Sequence, residues 1–170
     1  MIFLSIGSNL DSKFGNRTTN IKKTLEFLTK KKIILINISK IFETPSYPNM
    51  DNPKFLNLIV EIKYEKKPED LLKIIFTIEE AMDRIRGEKN DPRTCDIDII
   101  DFNGLTIKRE NLELPHPLCH KRNFVLFPLR DICPNWIHPT TKEKIDDLIN
   151  NLDPSQSNEI TKLSESDKIF

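Results

Sequence analysis

The spacing of apolar residues changes along the chain and predicts its secondary structure. Residues 2–6 form a short apolar run, which is typical of a buried strand. Apolar side chains then recur at helical spacing over residues 18–30, so an amphipathic helix is expected there. Residues 33–42 are β-branched and partly alternating, and residues 55–64 alternate well, which predicts two more strands.

A second helix and a fourth strand complete the predicted core. Pro68 stands at a favoured first-turn position and opens a helical pattern that extends to about residue 85. Residues 95–102 alternate again and are predicted to form a strand. The order β-α-β-β-α-β is that of the split βαβ arrangement. The sequence therefore predicts an α+β, ferredoxin-like fold with one antiparallel sheet and both helices packed on one face.

The third predicted strand has two unlike faces. Its even-numbered positions from Leu56 to Ile62 are all apolar and are expected to meet the core. Phe55 and Asn57 then lie side by side on the opposite face.

The chain length of 170 residues fits a single domain, which we place at residues 1–152. Residues 43–53 contain three prolines and are expected to form a long loop, a kind of segment that is often functional. Residues 153–170 are polar and poor in large apolar side chains, so a loosely packed or disordered C-terminal tail is expected. Shorter strands and helices are predicted between the core and the tail: 105–107, 112–114, 124–132 and 146–152.

The charge balance, the cysteines and the length of the apolar runs limit the functions expected of this chain. The chain has 26 basic and 26 acidic residues, and this balance gives no support to nucleic-acid binding through bulk charge. Cys95, Cys119 and Cys133 fit neither a disulfide framework nor a zinc pattern, so we interpret them as neutral thiols of an intracellular protein. The first apolar run breaks at residues 7–9, and no run approaches the ~20 residues of a membrane span. We expect a cytoplasmic protein without nucleic-acid or membrane partners.

The segment from residue 84 to residue 102 carries the clearest chemical signal. Asp96 and Asp98 share one face of the last core strand, with α-carbons roughly 6.5 Å apart. Adjacent carboxylates repel unless a cation lies between them, and oxygen ligands suit Mg²⁺. The preceding loop is basic through Arg84, Arg86, Lys89 and Arg93. A basic loop before a carboxylate pair predicts a phosphate-rich substrate whose charge is shared by cationic side chains and metal.

The same residues admit a purely structural interpretation. The two aspartates could be solvated carboxylates paired with arginines, and Arg84 and Arg86 could simply complement a helix C-terminus. On pattern alone, His116 and His138 are surface histidines, and aromatic residues such as Phe124 are core residues. The chain lacks a G-x-x-x-x-G-K-[ST] loop, so bound phosphates must be held by side chains and metal.

Residues 92–100, P-R-T-C-D-I-D-I-I, resemble the P-R-x-x-D-[LIV]-D-[LIV]-[LIV] signature of 6-hydroxymethyl-7,8-dihydropterin pyrophosphokinase, an enzyme family of folate biosynthesis. The resemblance covers about residues 1–150, and the fold of that family is the ferredoxin-like sheet predicted above. Further segments match in order: I-G-S-N-L at 6–10, E-T-P at 43–45, F-L-N at 55–57, R-I-R at 84–86, L-P-H-P at 114–117 and R-N-F at 122–124.

The resemblance implies transfer of the β,γ-pyrophosphoryl unit of ATP to the hydroxymethyl oxygen of the dihydropterin, with release of AMP. It implies two Mg²⁺ ions held by Asp96 and Asp98, ATP as co-substrate, and a monomer without an obligate protein partner. The implied catalytic residues are Arg84, Arg93, Asp96 and Asp98. The implied pterin-binding residues are Thr44, Pro45, Phe55, Asn57, Asp96 and Phe124. The implied ATP-binding residues are Glu79, Arg84, Arg86, Lys89, Arg93, Ile99, His116 and Arg122.

Three departures from the family pattern concern the basic loop, which is one residue shorter than in some members of the family. Lys89 stands where the family usually has an arginine, which removes bidentate phosphate binding. Asp91 replaces a common glycine before Pro92 and adds negative charge.

Two rival functions remain open. RNA-recognition domains share the element order but carry an aromatic RNA-binding strand that this chain lacks. A different metal-dependent nucleotidyl transferase or nuclease would release pyrophosphate or cleave nucleic acid, not yield AMP and a pterin diphosphate.

Overall fold

The computed structural model of the chain describes residues 1–85, 87 and 91–163. Arg86 and Lys89 of the basic loop, and residues 164–170 of the predicted tail, lie outside the described residues. The strands within these ranges are β1 (Ile2–Ser8), β2 (Ile34–Ile38), β3 (Phe42–Thr44), β4 (Phe55–Lys63), β5 (Asp96–Phe102), β6 (Ile107–Arg109), β7 (Leu112–Leu114) and β8 (Thr161–Lys162). The α-helices are α1 (Arg17–Lys30), α2 (Pro68–Ala81), α3 (Asn123–Ile132), α4 (Ile145–Asn150) and α5 (Pro154–Asn158).

The described strands form one antiparallel sheet of six strands and a separate hairpin. The sheet order is β5-β1-β4-β3-β8, and β2 pairs with the remaining part of β4. Strands β6 and β7 form the hairpin. The predicted α+β fold with an antiparallel sheet and packed helices is confirmed.

The sheet is covered on both faces. Helices α1 and α2 pack on one face, where the predicted apolar side of β4, from Leu56 to Ile62, joins the main core. The other face carries a second apolar cluster under α3 and α4, which contains Phe3, Ile59 and Ile100. Those three residues interrupt the polar side of their strands, and that is why the C-terminal helices can pack there.

Several predicted elements have different bounds in the structure. The strand predicted over residues 105–107 is β6 (Ile107–Arg109), and the helix predicted over 146–152 is α4 (Ile145–Asn150). The single strand predicted over residues 33–42 is divided into β2 and β3. Between them, Ser39 donates its backbone N–H to the carbonyl of Ile59 at 2.9 Å, while its hydroxyl accepts the Ile59 N–H at 2.9 Å. A side-chain oxygen thus replaces a backbone carbonyl and interrupts the ladder. Helix α2 ends at Ala81, four residues before the predicted end, because Asp83 adopts a positive φ of 59°.

Residues 153–163 of the predicted tail contain helix α5 and strand β8. None of these residues is fully buried. Strand β8 pairs with β3, so backbone pairing attaches this part of the tail to the sheet. No helix in the described ranges has both the length and the apolar character needed to cross a lipid bilayer.

Candidate active site

A cavity of about 900 Å³ opens at the end of the sheet where β1, β4 and β5 lie side by side. Its size lies in the range of small-molecule binding sites. The wall also includes the loop after β3, the segment before α3 and part of the tail. Polar and aromatic residues that are far apart in sequence therefore meet in one place.

The register of the sheet explains how the central residues come together. Gly7 of β1 pairs with Asn57 of β4 on one side and with Asp96 of β5 on the other. These three residues form one row across the sheet. A β-carbon on Gly7 would lie 3.2 Å from the Asn57 Oδ1 atom, so a larger residue would press on the amide. In the next row, Ser5 pairs with Asp98.

Asp96 and Asp98 project from the same face of β5, as predicted, and each has cationic or polar neighbours. The Asp96 carboxylate lies between two arginines, with Arg84 Nη1 at 2.7 Å and Arg93 Nη1 at 3.5 Å. The Asp98 Oδ2 atom lies 3.8 Å from Arg122 Nη1 and 3.8 Å from His116 Nε2. The site therefore offers carboxylate oxygens for a cation and guanidinium groups for phosphates.

Asp98 is the most perturbed of these carboxyl groups. Its pKa is raised to about 7, first by burial within the protein and then by the nearby Asp96, while Arg122 opposes both effects. The side chain nevertheless keeps 36% of its accessible surface, because it lies at the floor of an open cavity. A cation placed beside it would favour the ionised form.

His116 is neutral at physiological pH. Burial lowers its pKa to about 4, and the adjacent Arg122 lowers it as well. Its Nδ1 atom accepts the backbone N–H of Leu118 at 3.1 Å, which favours a ring proton on Nε2, and Nε2 lies 3.5 Å from the Nη1 atom of Arg122. That N–H faces the cavity side of Asp98 and is a hydrogen-bond donor without a net charge.

Two residues that the resemblance assigns to ATP binding do not line the cavity. Glu79 is only 2% exposed and lies below the cavity, where its Oε1 atom accepts the Ile97 N–H at 3.0 Å and pairs with the Arg84 guanidinium. The side chain of Ile99 packs in the main core, because strand alternation turns it away from the two aspartates. Glu79 thus orients Arg84, and the Ile99 side chain does not line the cavity.

The opposite part of the cavity is polar but carries little charge. The Asn57 amide donates to the Thr44 hydroxyl at 3.0 Å, and each of these residues is 4% exposed. The rings of Phe55 and Phe124 lie in the same wall, as does Pro45. The structure thus brings together every pterin-binding residue that the resemblance implies, including aromatic residues that the pattern alone assigned to the core.

A guanidinium group lies near each of these rings. Arg93 is 5.4 Å from the centroid of Phe55, and Arg122 is 5.4 Å from that of Phe124. These distances are typical of cation–π contacts. The arginines thus connect the charged and the aromatic parts of the cavity.

Asn9 connects the proline loop to the basic segment. Its Nδ2 atom donates to the Ser46 hydroxyl at 3.0 Å and to the Pro53 carbonyl at 2.9 Å. Its Oδ1 atom accepts the Arg93 N–H at 2.8 Å, and its own N–H donates to the Arg93 carbonyl at 3.1 Å. One residue, 3% exposed, thus fixes two parts of the cavity wall relative to each other.

Several wall residues were not predicted from the sequence. Asn123 lies within the R-N-F segment that the resemblance identified, but no role was assigned to it. The tail residues of the wall gave no signal, because their composition is that of a solvated segment. These additional residues include Tyr47, Met50, Lys121, Asn123, Ser155, Gln156 and Glu159.

A second polar cluster, of Cys119, His120 and His138, has a structural explanation. The His138 Nδ1 atom accepts the backbone N–H groups of Thr140 and Thr141, so this nitrogen organises a turn. Burial raises the pKa of the Cys119 thiol to about 12, which keeps it protonated. Cys95, Cys119 and Cys133 are all free thiols in the structure.

These features define an α+β protein with a cavity suited to a polyphosphate beside a small planar molecule. A family model for 7,8-dihydro-6-hydroxymethylpterin-pyrophosphokinase (HPPK) matches residues 3–134. The chain belongs to this family.

Relatives of two lengths match the chain. The 2-amino-4-hydroxy-6-hydroxymethyldihydropteridine pyrophosphokinase of Bacillus subtilis is 36% identical over 132 residues, which cover 77% of each chain. The folic acid synthesis protein FOL1 of Dictyostelium discoideum is 41% identical over 140 residues, which cover 82% of this chain but only 20% of that protein. The chain thus spans about a fifth of the longer relative.

Solved structures show the same fold. A Plasmodium falciparum HPPK-DHPS triple mutant with pteroate has a TM-score of 0.70 at 17% identity, over 95% of this chain and 46% of that one. The wild-type P. falciparum HPPK-DHPS has a TM-score of 0.66 at 19% identity, over 88% of this chain and 44% of that one.

Proposed function

We propose that this chain transfers pyrophosphate from ATP to the hydroxymethyl group of 6-hydroxymethyl-7,8-dihydropterin and releases AMP, a reaction of folate biosynthesis. The observation that carries the proposal is a single cavity with an aspartate pair among arginines on one side and an amide, a hydroxyl and two aromatic rings on the other. Family membership supports the same reaction. We further propose that the chain acts in the cytoplasm as a monomer on small-molecule substrates.

The residues present fit the two Mg²⁺ ions expected for this family. Asp96 and Asp98 offer carboxylate oxygens from one strand face, which are the ligands that Mg²⁺ prefers. The pKa of Asp98 is raised by burial and by the neighbouring Asp96, and a cation bound between the two carboxylates would favour their ionised forms. When bound, the ions would neutralise phosphate charge.

The arginines would bind the ATP phosphates. Arg84, Arg93 and Arg122 already contact or approach carboxylates in the cavity, and a planar guanidinium binds phosphate oxygens in the same way. Neutral His116 would donate its Nε2–H to a phosphate oxygen. Arg86 and Lys89 remain assigned to ATP by resemblance alone. Glu79 would act indirectly, by orienting Arg84 through their ion pair. Ile99 would also act indirectly, by packing in the main core.

The pterin would bind in the polar, aromatic part of the cavity. The hydrogen bond from Asn57 to Thr44 fixes the orientation of the amide, so its oxygen can accept from a donor edge of the ring. Phe55 and Phe124 would stack on the faces of the ring, and Pro45 would offer its backbone carbonyl. Burial of the amide and the hydroxyl makes this part selective for a hydrogen-bonding heterocycle.

The chemical step requires positioning and charge compensation. The hydroxymethyl oxygen forms a bond to the β-phosphorus while the bond from that phosphorus to the oxygen of AMP breaks. Asp96 lies in the row of Asn57 and would orient the hydroxyl and accept its proton. Arg84 and Arg93 would stabilise the negative charge that develops on the transferred group.

The proposal is tested by incubating the chain with Mg-ATP and the hydroxymethyl dihydropterin and separating the nucleotides. We expect AMP to form in equal amount with a pterin diphosphate. The Asp98→Asn variant should lose at least about 100-fold in kcat, because an amide cannot replace the anionic carboxylate. Asp147→Asn, the same change on the exposed surface of α4, is the matched control. Release of pyrophosphate with no AMP would contradict the proposal.

A further inference from the structure

The tail contacts two parts of the cavity wall, the strand that ends at Thr44 and the start of α3. Strand β8 adds to the edge of β3, where Thr161 pairs with Glu43. Beyond that pair, the Leu163 N–H donates to the Ile41 carbonyl at 3.0 Å. Strand β3 has only three residues and ends at Thr44, which accepts the Asn57 amide. Pairing on its outer edge therefore stabilises a short strand that carries a cavity residue.

The other end of the tail segment holds the start of α3. The Asn123 side chain donates to the backbone carbonyl of Gln156 at 2.6 Å, and the Asn123 N–H donates to the Gln156 side chain at 3.4 Å. Asn123 is 7% exposed, and its Oδ1 atom accepts the N–H of Phe124 at 2.7 Å. The tail thus fixes the residue that immediately precedes the aromatic ring of the wall.

The same segment contributes directly to the wall through Asp153, Ser155, Gln156 and Glu159. The tail segment therefore lines the cavity itself, in addition to contacting two parts of its wall.

We propose that residues 153–163, the C-terminal strap, position Thr44 and Phe124 for binding of the dihydropterin. The strap is a set of positioning residues, which act through the two residues they fix. This inference rests on the proposed function and assigns to the same site a determinant outside the matched residues 3–134.

Thr161 offers a sharp test in the full chain. Its N–H points towards β3, since it lies two residues before Leu163, whose N–H bonds to that strand. Thr161→Pro removes this donor, and Thr161→Val keeps both the donor and the β-branched shape. We expect the proline variant to raise the Kd and KM of the dihydropterin by roughly five- to thirtyfold, as one or two hydrogen bonds would. The Kd of Mg-ATP and kcat at saturating pterin should stay within about twofold of the valine control.

A second pair of variants keeps every backbone donor. Lys162 pairs with Asp131 at 2.9 Å, so Lys162→Glu repels the strap from α3 while Lys162→Arg preserves the ion pair. The glutamate variant should weaken pterin binding by a smaller factor and leave ATP binding unchanged. The strap proposal is overturned if both disruptive variants bind the pterin like their controls, or if ATP and pterin affinities fall together. A wild-type chain that yields no AMP would instead overturn the proposed function.

Discussion

At the scale of single residues, the cavity contains one group of charged side chains and one group of uncharged, hydrogen-bonding side chains. Asp96 and Asp98 lie among arginines, whereas Asn57 and Thr44 bond to each other in a buried corner. A buried amide that loses its ligand partners is costly, so such a corner selects for the hydrogen-bond pattern of its ligand. The two substrates should therefore depend on different side chains.

Asn57→Ala tests this separation. The variant should weaken dihydropterin binding by roughly ten- to a hundredfold, because it removes the amide and leaves the Thr44 hydroxyl without its donor. Mg-ATP binding should change by less than about twofold. Calorimetric titration with each substrate measures both affinities. Asn37→Ala, the same change on exposed β2, is the control, and an unchanged pterin affinity in Asn57→Ala would remove this residue from the site.

Asp98 should make the metal-free protein less stable at neutral pH. Its pKa rises from 3.8 in the unfolded chain to about 7 in the folded protein. Below about pH 3.8, the Asp98 carboxyl group is protonated in both the folded and the unfolded state, so its full contribution to the stability of the folded protein is present there. As the pH rises towards 7, the unfolded state ionises first and that contribution is lost.

In EDTA at about pH 8, Asp98→Asn should therefore have a higher melting temperature than the wild type. Its free energy of unfolding should be larger by roughly 1–2 kcal/mol after discounting for solvent at the open cavity. The difference should shrink towards about pH 4. Thermal unfolding followed by circular dichroism at several pH values measures it. Equal melting temperatures at both ends of this range would show that burial does not perturb Asp98.

At the scale of elements, most helices and strands were predictable from the spacing of apolar residues. The faces of β4 and the alternation of Asp96 with Ile97 followed directly from strand geometry. The break between β2 and β3 was not predictable, because it depends on a Ser39 side chain that replaces a backbone acceptor across the sheet. The early end of α2 depends on the positive φ of Asp83, a position for which aspartate gives only a weak signal.

The contacts of Asn9 hold the proline loop against the basic segment. Asn9→Ala removes three side-chain hydrogen bonds and leaves the buried Arg93 N–H without this acceptor. We expect a loss of roughly 1–3 kcal/mol in the free energy of unfolding and faster proteolysis within residues 45–54. Urea unfolding and limited proteolysis measure the two effects. Asp51→Ala, an exposed change in the same loop, should alter neither, and equal behaviour of the two variants would contradict this role of Asn9.

At the scale of the whole molecule, the cavity depends on contacts between distant parts of the chain. The resemblance pointed to the aspartates, the arginines and the residues proposed to bind the pterin, because these lie in short matching segments. It could not reveal that Gln156 bonds to Asn123 or that β8 extends the sheet, because pairing between remote polar segments leaves no periodic pattern. The second core under α3 and α4 was also missed, since single apolar residues on a polar strand face are weak signals.

The fate of the β-phosphorus of ATP distinguishes pyrophosphoryl transfer from γ-phosphoryl transfer and from hydrolysis of the nucleotide. ATP labelled at its β-phosphorus is incubated with the protein, Mg²⁺ and 6-hydroxymethyl-7,8-dihydropterin, and the products are separated. We expect the label to leave the nucleotide with the pterin diphosphate, while the nucleotide product is unlabelled AMP. Label that remains in ADP, or that is released as inorganic pyrophosphate, would contradict this expectation.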